Sequence, residues 1–225
     1  MYGDLQLEPS STVDRAVDEI RRALFAGQLA PGTPLREVAL SEAMGVGRST
    51  IREALTVLVS EGLTVRQPHR GVAVKELSAD DVHDVIVARL ALESAGVRRW
   101  PAASDTQRTA VRAAFEHYAT VASSTADPVA VSEAHLWVHR SLVGLTGSER
   151  LVATAETLGA EIRLGLAHLD RTRANLVEQV DDHRGLVELL ESGDVEGTLQ
   201  RLTAHLAAAE HSLLHATGHE AEAVG

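Results

Sequence analysis

The sequence predicts a mainly α-helical protein, in which a small winged domain precedes an all-helical bundle. Apolar residues recur at helical spacing along most of the 225 residues. Strand-forming residues are concentrated in two short stretches, 63–66 and 71–74. From residue 78 onward, segments rich in Ala, Leu and Val follow one another with capping residues between them. We therefore expect two units of different character.

The first unit is expected to contain three helices and a hairpin. Apolar positions recur through residues 13–24, and Gly27 follows them as a stop. Helices at 36–44 and 48–61 are then separated by a tight turn at 45–47, and residues 63–74 form the hairpin, or wing. The buried face of the third helix is predicted to consist of Ile51, Leu55, Leu58 and Val59.

The second unit is expected to be helical throughout. Its first helix begins after a cap at Ser78 or Asp80 and ends at Trp100-Pro101. Asp127-Pro128 and Gly193-Asp194 mark two further helix boundaries. The remaining helices are predicted at about 105–123, 128–144, 148–169, 174–192 and 195–215. The predicted organisation is an N-terminal extension (1–11), a winged helix-turn-helix domain (12–76), an all-helical domain (78–215) and a flexible tail (216–225).

Composition excludes several classes of function. The chain has no cysteine, so disulfides, thiolate catalysis and cysteine-ligated zinc are impossible. No apolar run approaches the roughly 20 residues that span a bilayer, and the sequence MYGDLQLEPS lacks the features of a signal peptide. We therefore expect a cytoplasmic protein with no membrane partner. The formal net charge of -11 argues against a surface that binds nucleic acid everywhere.

A basic segment lies within this acidic chain. Residues 44–75 hold five basic and two acidic residues, and they contain the glycine-containing turn and the second helix of a helix-turn-helix whose first helix is predicted at 36–44. Such a helix-turn-helix places the N-terminal end of its second helix in the major groove, where Arg pairs with guanine. The candidate DNA-binding residues are Arg36, Arg48, Ser49, Thr50 and Arg52, with Arg70 and Gly71 at the wing tip. The alternative is a packing unit in which Arg48 and Arg52 pair with Glu53 or Glu42.

The polar residues of the second unit include four notable histidines. His135 and His139 are four residues apart, so they share one face of a helix and can converge on one ion. His183 and His205 lie on two later helices among apolar residues. Spacing alone does not join the four, because a single histidine on an apolar face is usually a core residue whose hydrogen bonds are satisfied.

The first unit resembles the GntR-family winged helix-turn-helix along nearly its whole length. The resemblance rests on G-x-L-x-P-G near 27–32, L-x-E at 35–37, GVGRSTIREAL at 45–55 and EGLTVRQPHRG at 61–71. Two features depart from the family pattern: Gly47 stands where Ser or Thr is usual, and Ser49-Thr50-Ile51 replaces the common Thr-Pro-Val. The resemblance implies DNA binding, and the departures concern which operator is bound.

The second unit resembles the FCD ligand-binding domain of the FadR subfamily. The matching segments are R-x-x-L-E at 89–93, the stretch from His139 to Gly147, and the segment from His183 to His205. In metal-binding members one Asp and three His ligate a divalent ion. The resemblance places His139, His183 and His205 at the histidine positions and His135 at the Asp position. It implies a divalent metal cofactor: zinc, with nickel or manganese as alternatives. Four His could close a zinc tetrahedron, whereas an octahedral ion keeps open positions.

The substitution of His for Asp raises the net positive charge of a site that holds a divalent ion. Four neutral imidazoles leave the full 2+ charge of an ion uncompensated, so an anionic ligand is favoured, and we expect a small carboxylate effector. Arg89 matches a family position that often faces the ligand cavity, where it would pair with this carboxylate. An ion pair with Glu93, four residues later, is the alternative role of Arg89.

These observations predict a metabolite-responsive transcriptional regulator, not an enzyme, that binds a palindromic operator as a homodimer. The sequence leaves open whether it is a repressor or an activator. A direct metal sensor would use the same residues. A metal-free bundle with an acyl-CoA-like ligand is a further alternative. A metalloenzyme would need a general base, and the acids close in sequence to the four histidines are Glu133, Glu178 and Asp182.

Overall fold

The computed structural model describes residues 11–125, 127–169 and 176–216. Within these residues the chain forms nine α-helices and one two-stranded sheet, so the predicted mainly α fold class is confirmed. The chain divides after Glu76 into two compact units. The predicted extension and tail lie outside the described residues, apart from Ser11 and Ala216. None of the described helices is long and apolar enough to cross a bilayer.

The first unit is a winged helix-turn-helix. Its elements are α1 (Thr12–Phe25), α2 (Glu37–Met44), α3 (Arg48–Ser60), β1 (Thr64–Gln67) and β2 (Gly71–Val74). Ser11 caps α1 by a reciprocal hydrogen-bonded pair with Asp14. Gly45 ends α2 with a φ of 66°, a left-handed conformation that glycine adopts without strain. The two helices of the motif are therefore joined by the predicted tight turn.

The core of the first unit lies between α1, α3 and the wing. Ile51, Ala54, Leu55 and Leu58 form the buried face of α3. The prediction for this face was wrong at one position, because Val59 is only half-buried and Ala54 occupies the core instead. The strands β1 and β2 pair antiparallel with Thr64 opposite Val74 and Gln67 opposite Gly71. The strand β1 begins and ends one residue later than predicted. Its pairing with β2 holds the wing against the core.

The second unit is a helical bundle. Its helices are α4 (Ala79–Val97), α5 (Asp105–Ser124), α6 (Pro128–Gly144), α7 (Glu149–Leu169), α8 (Leu176–Ser192) and α9 (Val195–Ala216). Ser78, rather than the alternative Asp80, caps α4. A short 3-10 turn at Trp100–Ala102 separates α4 from α5, and Asp127 caps α6 with Pro128 in its first turn. These boundaries lie within two residues of those predicted, because capping residues act locally.

A glycine sets the closest approach of α4 and α6. A Cβ atom built on Gly96 would lie 1.9 Å from the backbone oxygen of Leu142, a distance that no real side chain could occupy. The two backbones therefore touch at this point. One turn earlier on each helix lie Glu93 and His139, so the contact at Gly96 brings a buried acid of α4 next to a buried histidine of α6.

Candidate DNA-binding surface and metal centre

The N-terminal end of α3 presents a polar, exposed surface. Arg48, Ser49 and Arg52 are exposed, and Thr50 is half-buried. Gly47 occupies the N-cap position of α3. Because glycine has no side chain, it cannot accept a hydrogen bond from the N–H groups of the first turn. The exposed side chains and the uncapped N–H groups thus lie together on the surface that a helix-turn-helix presents to the major groove.

Arg52 is held by an acid that the sequence analysis did not pair with it. Its Nε and Nη2 donate to the two carboxylate oxygens of Glu37, at 3.0 and 2.7 Å. The side-chain hydrogen bond from Arg52 lowers the pKa of Glu37 below its usual value. The proposed pairing of Arg52 with Glu53 or Glu42 is therefore wrong in its partner, because the acid is Glu37, the first residue of α2. The pair fixes the direction of the guanidinium and leaves further N–H groups for another acceptor.

The wing tip is a tight turn. The Arg70 N–H donates to the carbonyl of Gln67 at 3.1 Å, and His69 adopts a φ of 61°. Arg70 and Gly71 are exposed at this tip, and Gly71 has a φ of 90°. The structure thus places both predicted wing residues on the surface. Arg36 is also exposed, at the N-cap of α2, where it makes no capping hydrogen bond.

The four histidines of the second unit lie together in its interior. His135 and His139 come from α6, His183 from α8 and His205 from α9. One ring nitrogen from each residue lies within 4.8 Å of those from the other three. Three of the rings are buried and that of His205 is partly buried. The tertiary structure thus joins residues that sequence spacing left separate.

Three of these rings have their second nitrogen fixed by an acceptor. His139 Nδ1 lies 2.7 Å from a carboxylate oxygen of Glu93, and His205 Nδ1 lies 2.6 Å from one of Asp182. His183 Nδ1 lies 2.7 Å from the backbone oxygen of Gln179. Because carboxylate and carbonyl oxygens accept, each Nδ1 is assigned the ring proton. The Nε2 atoms of these rings then carry lone pairs.

The Nε2 atoms of the other three rings lie around that of His139. Its Nε2 lies 3.1 Å from that of His183, 3.3 Å from that of His205 and 3.2 Å from that of His135. Lone pairs at such distances repel unless a cation lies between them. Nitrogens bound to one zinc ion at about 2.0–2.1 Å are roughly 3.3 Å apart. The donor set therefore fits one divalent ion.

The electrostatic environment keeps His139 and His183 neutral. Burial is the main cause that lowers the pKa of His139 well below its usual value, and burial lowers the pKa of His183 to about 3. Burial also raises the pKa of Glu93, while the charge of Arg89 opposes this rise. Neutral imidazoles are the form that binds metal, so no proton competes for these nitrogens at neutral pH.

Arg89 forms the ion pair that was its alternative role, and it also lines a cavity. Its Nε donates to Glu93 at 3.0 Å, which is the alternative ion pair. Its side chain is only 5% exposed, and its Nη2 is buried with no hydrogen-bond partner in the described part of the chain. Arg89 also lines a cavity of about 570 Å³ that reaches His135 and His205. The arginine thus offers donors to a ligand beside the histidine cluster.

Sequence reasoning missed the partners of two histidines. Glu93 was considered only as a partner of Arg89, although it also holds His139 across 46 residues of sequence. Asp182 was considered only as a possible base, and it holds His205 instead. The available signal was that Arg89 and Glu93 lie on the buried stripe of α4, where charged residues are rare. Of the other acids considered, Glu133 is exposed and pairs with Arg163, and the side chain of Glu178 lies outside the described residues.

We predict that Glu93→Gln weakens zinc binding by 10- to 100-fold, the usual effect of losing the hydrogen-bond partner of a metal-binding histidine. The amide oxygen is a weaker acceptor for His139, and the charge that balances Arg89 is lost. Competition with a fluorescent zinc chelator measures this change. Glu156→Gln, which removes an exposed acid paired with Arg140, is the matched control and should bind zinc as the wild type does. Equal zinc affinity in both variants would contradict the role of Glu93.

Comparison with known proteins gives consistent matches along the chain. Residues 12–74 match the family described as bacterial regulatory proteins, gntR family, and residues 84–208 match the FCD domain. The chain is 29% identical over 215 residues to a Paenarthrobacter nicotinovorans protein named "Probable D-xylose utilization operon transcriptional repressor", covering 95% of this chain and 93% of that protein. A solved GntR-type regulator from Rhodococcus sp. RHA1 superposes with a TM-score of 0.75 at 28% identity, over 92% of this chain and 99% of that one. Escherichia coli McbR/YncC, at 20% identity and a TM-score of 0.74, covers 92% of this chain and 98% of its own, and supports the fold alone.

Proposed function

The chain belongs to the GntR family of bacterial regulatory proteins, with an FCD domain after the winged helix, and we propose that it is a transcriptional regulator controlled by a small carboxylate. Its family matches and its relatives are regulators of transcription rather than enzymes. In this proposal the first unit binds a palindromic operator and the second unit binds the effector at a histidine-ligated divalent ion.

The DNA-binding part of the proposal is supported by the surface of α3 and the wing. Exposed Arg48, Ser49 and Arg52 lie on the N-terminal end of α3, and Arg70 lies at the wing tip. Arg52 is oriented by Glu37 in the fork geometry that also suits a guanine edge. We propose that α3 contacts bases in the major groove, and that Arg36, Arg70 and Gly71 contact the DNA backbone or the minor groove.

The effector part rests on one observation: four imidazole nitrogens converge beside a cavity that contains a buried, incompletely paired arginine. We propose that His135, His139, His183 and His205 hold the ion, and that Arg89 binds the effector carboxylate. The ion, when bound, supplies positive charge for an anionic ligand. Zinc fits an all-nitrogen donor set, and nickel or manganese are alternatives.

The oligomeric state and the cellular location are also part of the proposed function. A palindromic operator requires a two-fold symmetric protein, so we propose a homodimer in which each winged helix contacts one half-site. We also propose that the protein acts in the cytoplasm, where its DNA target lies. Effector binding would change the placement of the two DNA-binding units within the dimer.

Selection from a random library of DNA duplexes tests this function. We expect untagged, zinc-loaded protein to enrich sequences with a two-fold symmetric core. Affinity for the selected DNA should fall steeply with salt, because phosphate contacts release counterions. At least one small carboxylate should change that affinity in a titration at fixed zinc. Enrichment of no sequence, or of an asymmetric one, would contradict the proposed palindromic operator. A change caused by zinc alone, with none from any carboxylate, would instead favour a direct metal sensor.

A further inference from the structure

The cavity beside the histidine cluster contains a second arginine, Arg201, for which the function proposed above has no role. Arg201 lies on α9 one turn before His205, and its side chain is 39% exposed, whereas Arg89 is almost fully buried. The two guanidinium groups thus line one cavity at different degrees of exposure. The apolar part of the cavity wall is formed by Ile162, Leu166, Ala204, Ala208, Ala209 and Leu213.

Arg201 is held in a fixed position rather than free in solvent. Its Nε donates to the backbone oxygen of Asp182 at 3.1 Å, and its Nη2 donates to a carboxylate oxygen of the same residue at 3.0 Å. The guanidinium lies directly over Gly185 of α8, where an added Cβ would be 2.6 Å from Cζ of the arginine. Two anchoring hydrogen bonds leave the N–H groups of Nη1 for another acceptor. Arg201 is therefore preorganised to bind an anion.

Each of the two arginines pairs with an acid that in turn holds one histidine of the cluster. Arg89 pairs with Glu93, which holds His139, and Arg201 pairs with Asp182, which holds His205. In each arrangement the arginine charge is balanced by its own carboxylate. The four imidazoles contribute no charge when they bind an ion. The loaded site consequently keeps the 2+ charge of the ion, which two negative charges on one ligand would neutralise.

We propose that the cavity binds a dicarboxylate, with one carboxylate between the histidine cluster and Arg89 and the other on Arg201. The methylene chain of such a ligand would contact the alanine-rich face of α9, where Ala204 and Ala208 leave room for it. This inference rests on the proposed function, since it specifies the effector class of the same cavity. Arg201 determines the preference for dianions over monoanions, and Arg89 serves both classes.

Calorimetric titration of the zinc-loaded protein tests this preference. The probes are the straight-chain dicarboxylates from succinate to suberate, each compared with the monocarboxylate of equal carbon number. We expect at least one dicarboxylate to bind about tenfold or more tightly than its matched monocarboxylate, the effect of hydrogen bonds to one more charged group. In Arg201→Gln this preference, measured as the ratio of the two affinities, should disappear.

Two further variants keep the experiment decisive. Gly185→Ala retains the arginine charge but displaces its guanidinium, so the dicarboxylate preference should fall even if Arg201→Gln loses zinc. Arg184→Gln is the matched control. It removes an exposed arginine of α8 whose side chain does not line the cavity, and it should bind both probe classes as the wild type does. Equal binding of both probe classes by the wild type, or a preference retained in both Arg201→Gln and Gly185→Ala, would overturn the dicarboxylate inference alone. Binding of neither class would overturn the carboxylate effector as well.

Discussion

We expect His139→Ala to abolish the proposed zinc binding and to lower the melting temperature of zinc-supplemented protein. His139 is central to the cluster, because its Nε2 lies within 3.3 Å of the Nε2 atoms of the other three rings. The substitution removes one donor and leaves Glu93 buried without the histidine that it contacts. His183→Ala and His205→Ala are expected to lower zinc content and melting temperature together for the same reason.

The size of this effect follows from linkage. An ion present at about 1,000 times its dissociation constant stabilises the folded state by about 4 kcal/mol. A helical unit of this size then melts roughly 8–16 °C lower when the ion is lost. Elemental analysis of untagged protein measures the zinc content, and calorimetry or circular dichroism measures the melting temperature. Untagged protein is needed because a histidine tag itself binds zinc.

A control separates metal loss from damage to the core. His117→Ala changes an exposed histidine of α5 whose ring contacts Trp137, so it should keep the wild-type zinc content. After removal of metal by a chelator, the difference in melting temperature between wild type and His139→Ala should shrink to the part that comes from the lost contact with Glu93. Wild-type protein without zinc after supplementation, or unchanged zinc content in all three variants of the cluster, would remove these histidines from the proposed site.

We expect Arg52→Ala and Arg48→Ala each to abolish operator-specific binding and to leave the fold intact. A bidentate contact between arginine and a base contributes about 1–3 kcal/mol of discrimination, and a dimer loses this contribution in both half-sites. We therefore expect specific affinity to fall at least about 30-fold towards the non-specific level. The melting temperature should change little, because Arg52 is exposed and an exposed ion pair such as that with Glu37 contributes little to stability.

Fluorescence anisotropy with the selected operator and an unrelated duplex of equal length measures the specific and non-specific affinities. Arg22→Ala, which removes an exposed arginine of α1 paired with Glu19, is the matched control and should retain operator binding. Glu37→Gln adds a second comparison, since it keeps Arg52 but removes the acid that orients it. Its loss of operator affinity should be smaller than that of Arg52→Ala. Near-normal operator affinity in both arginine variants would show that α3 is not the recognition helix.

Local features of the fold were predictable from the sequence. Apolar periodicity and capping residues such as Ser78, Asp127 and Gly193 located the helices to within two residues, because backbone hydrogen bonds and caps involve neighbours within one turn. The spacing of His135 and His139 placed them on one face for the same reason. The resemblance to the FCD domain, rather than periodicity, suggested that His183 and His205 belong with them.

The tertiary structure alone decided which residues meet across helices. The contact of Glu93 with His139 depends on the close approach of α4 and α6 at Gly96, and the pair of Arg52 with Glu37 depends on how α2 and α3 cross. Periodicity predicts which face of a helix is buried, but it does not specify the rotation and stagger of one helix against another. The rotation and stagger of the helices decide which acids orient the histidines. They also place Arg89 and Arg201 in the wall of one cavity.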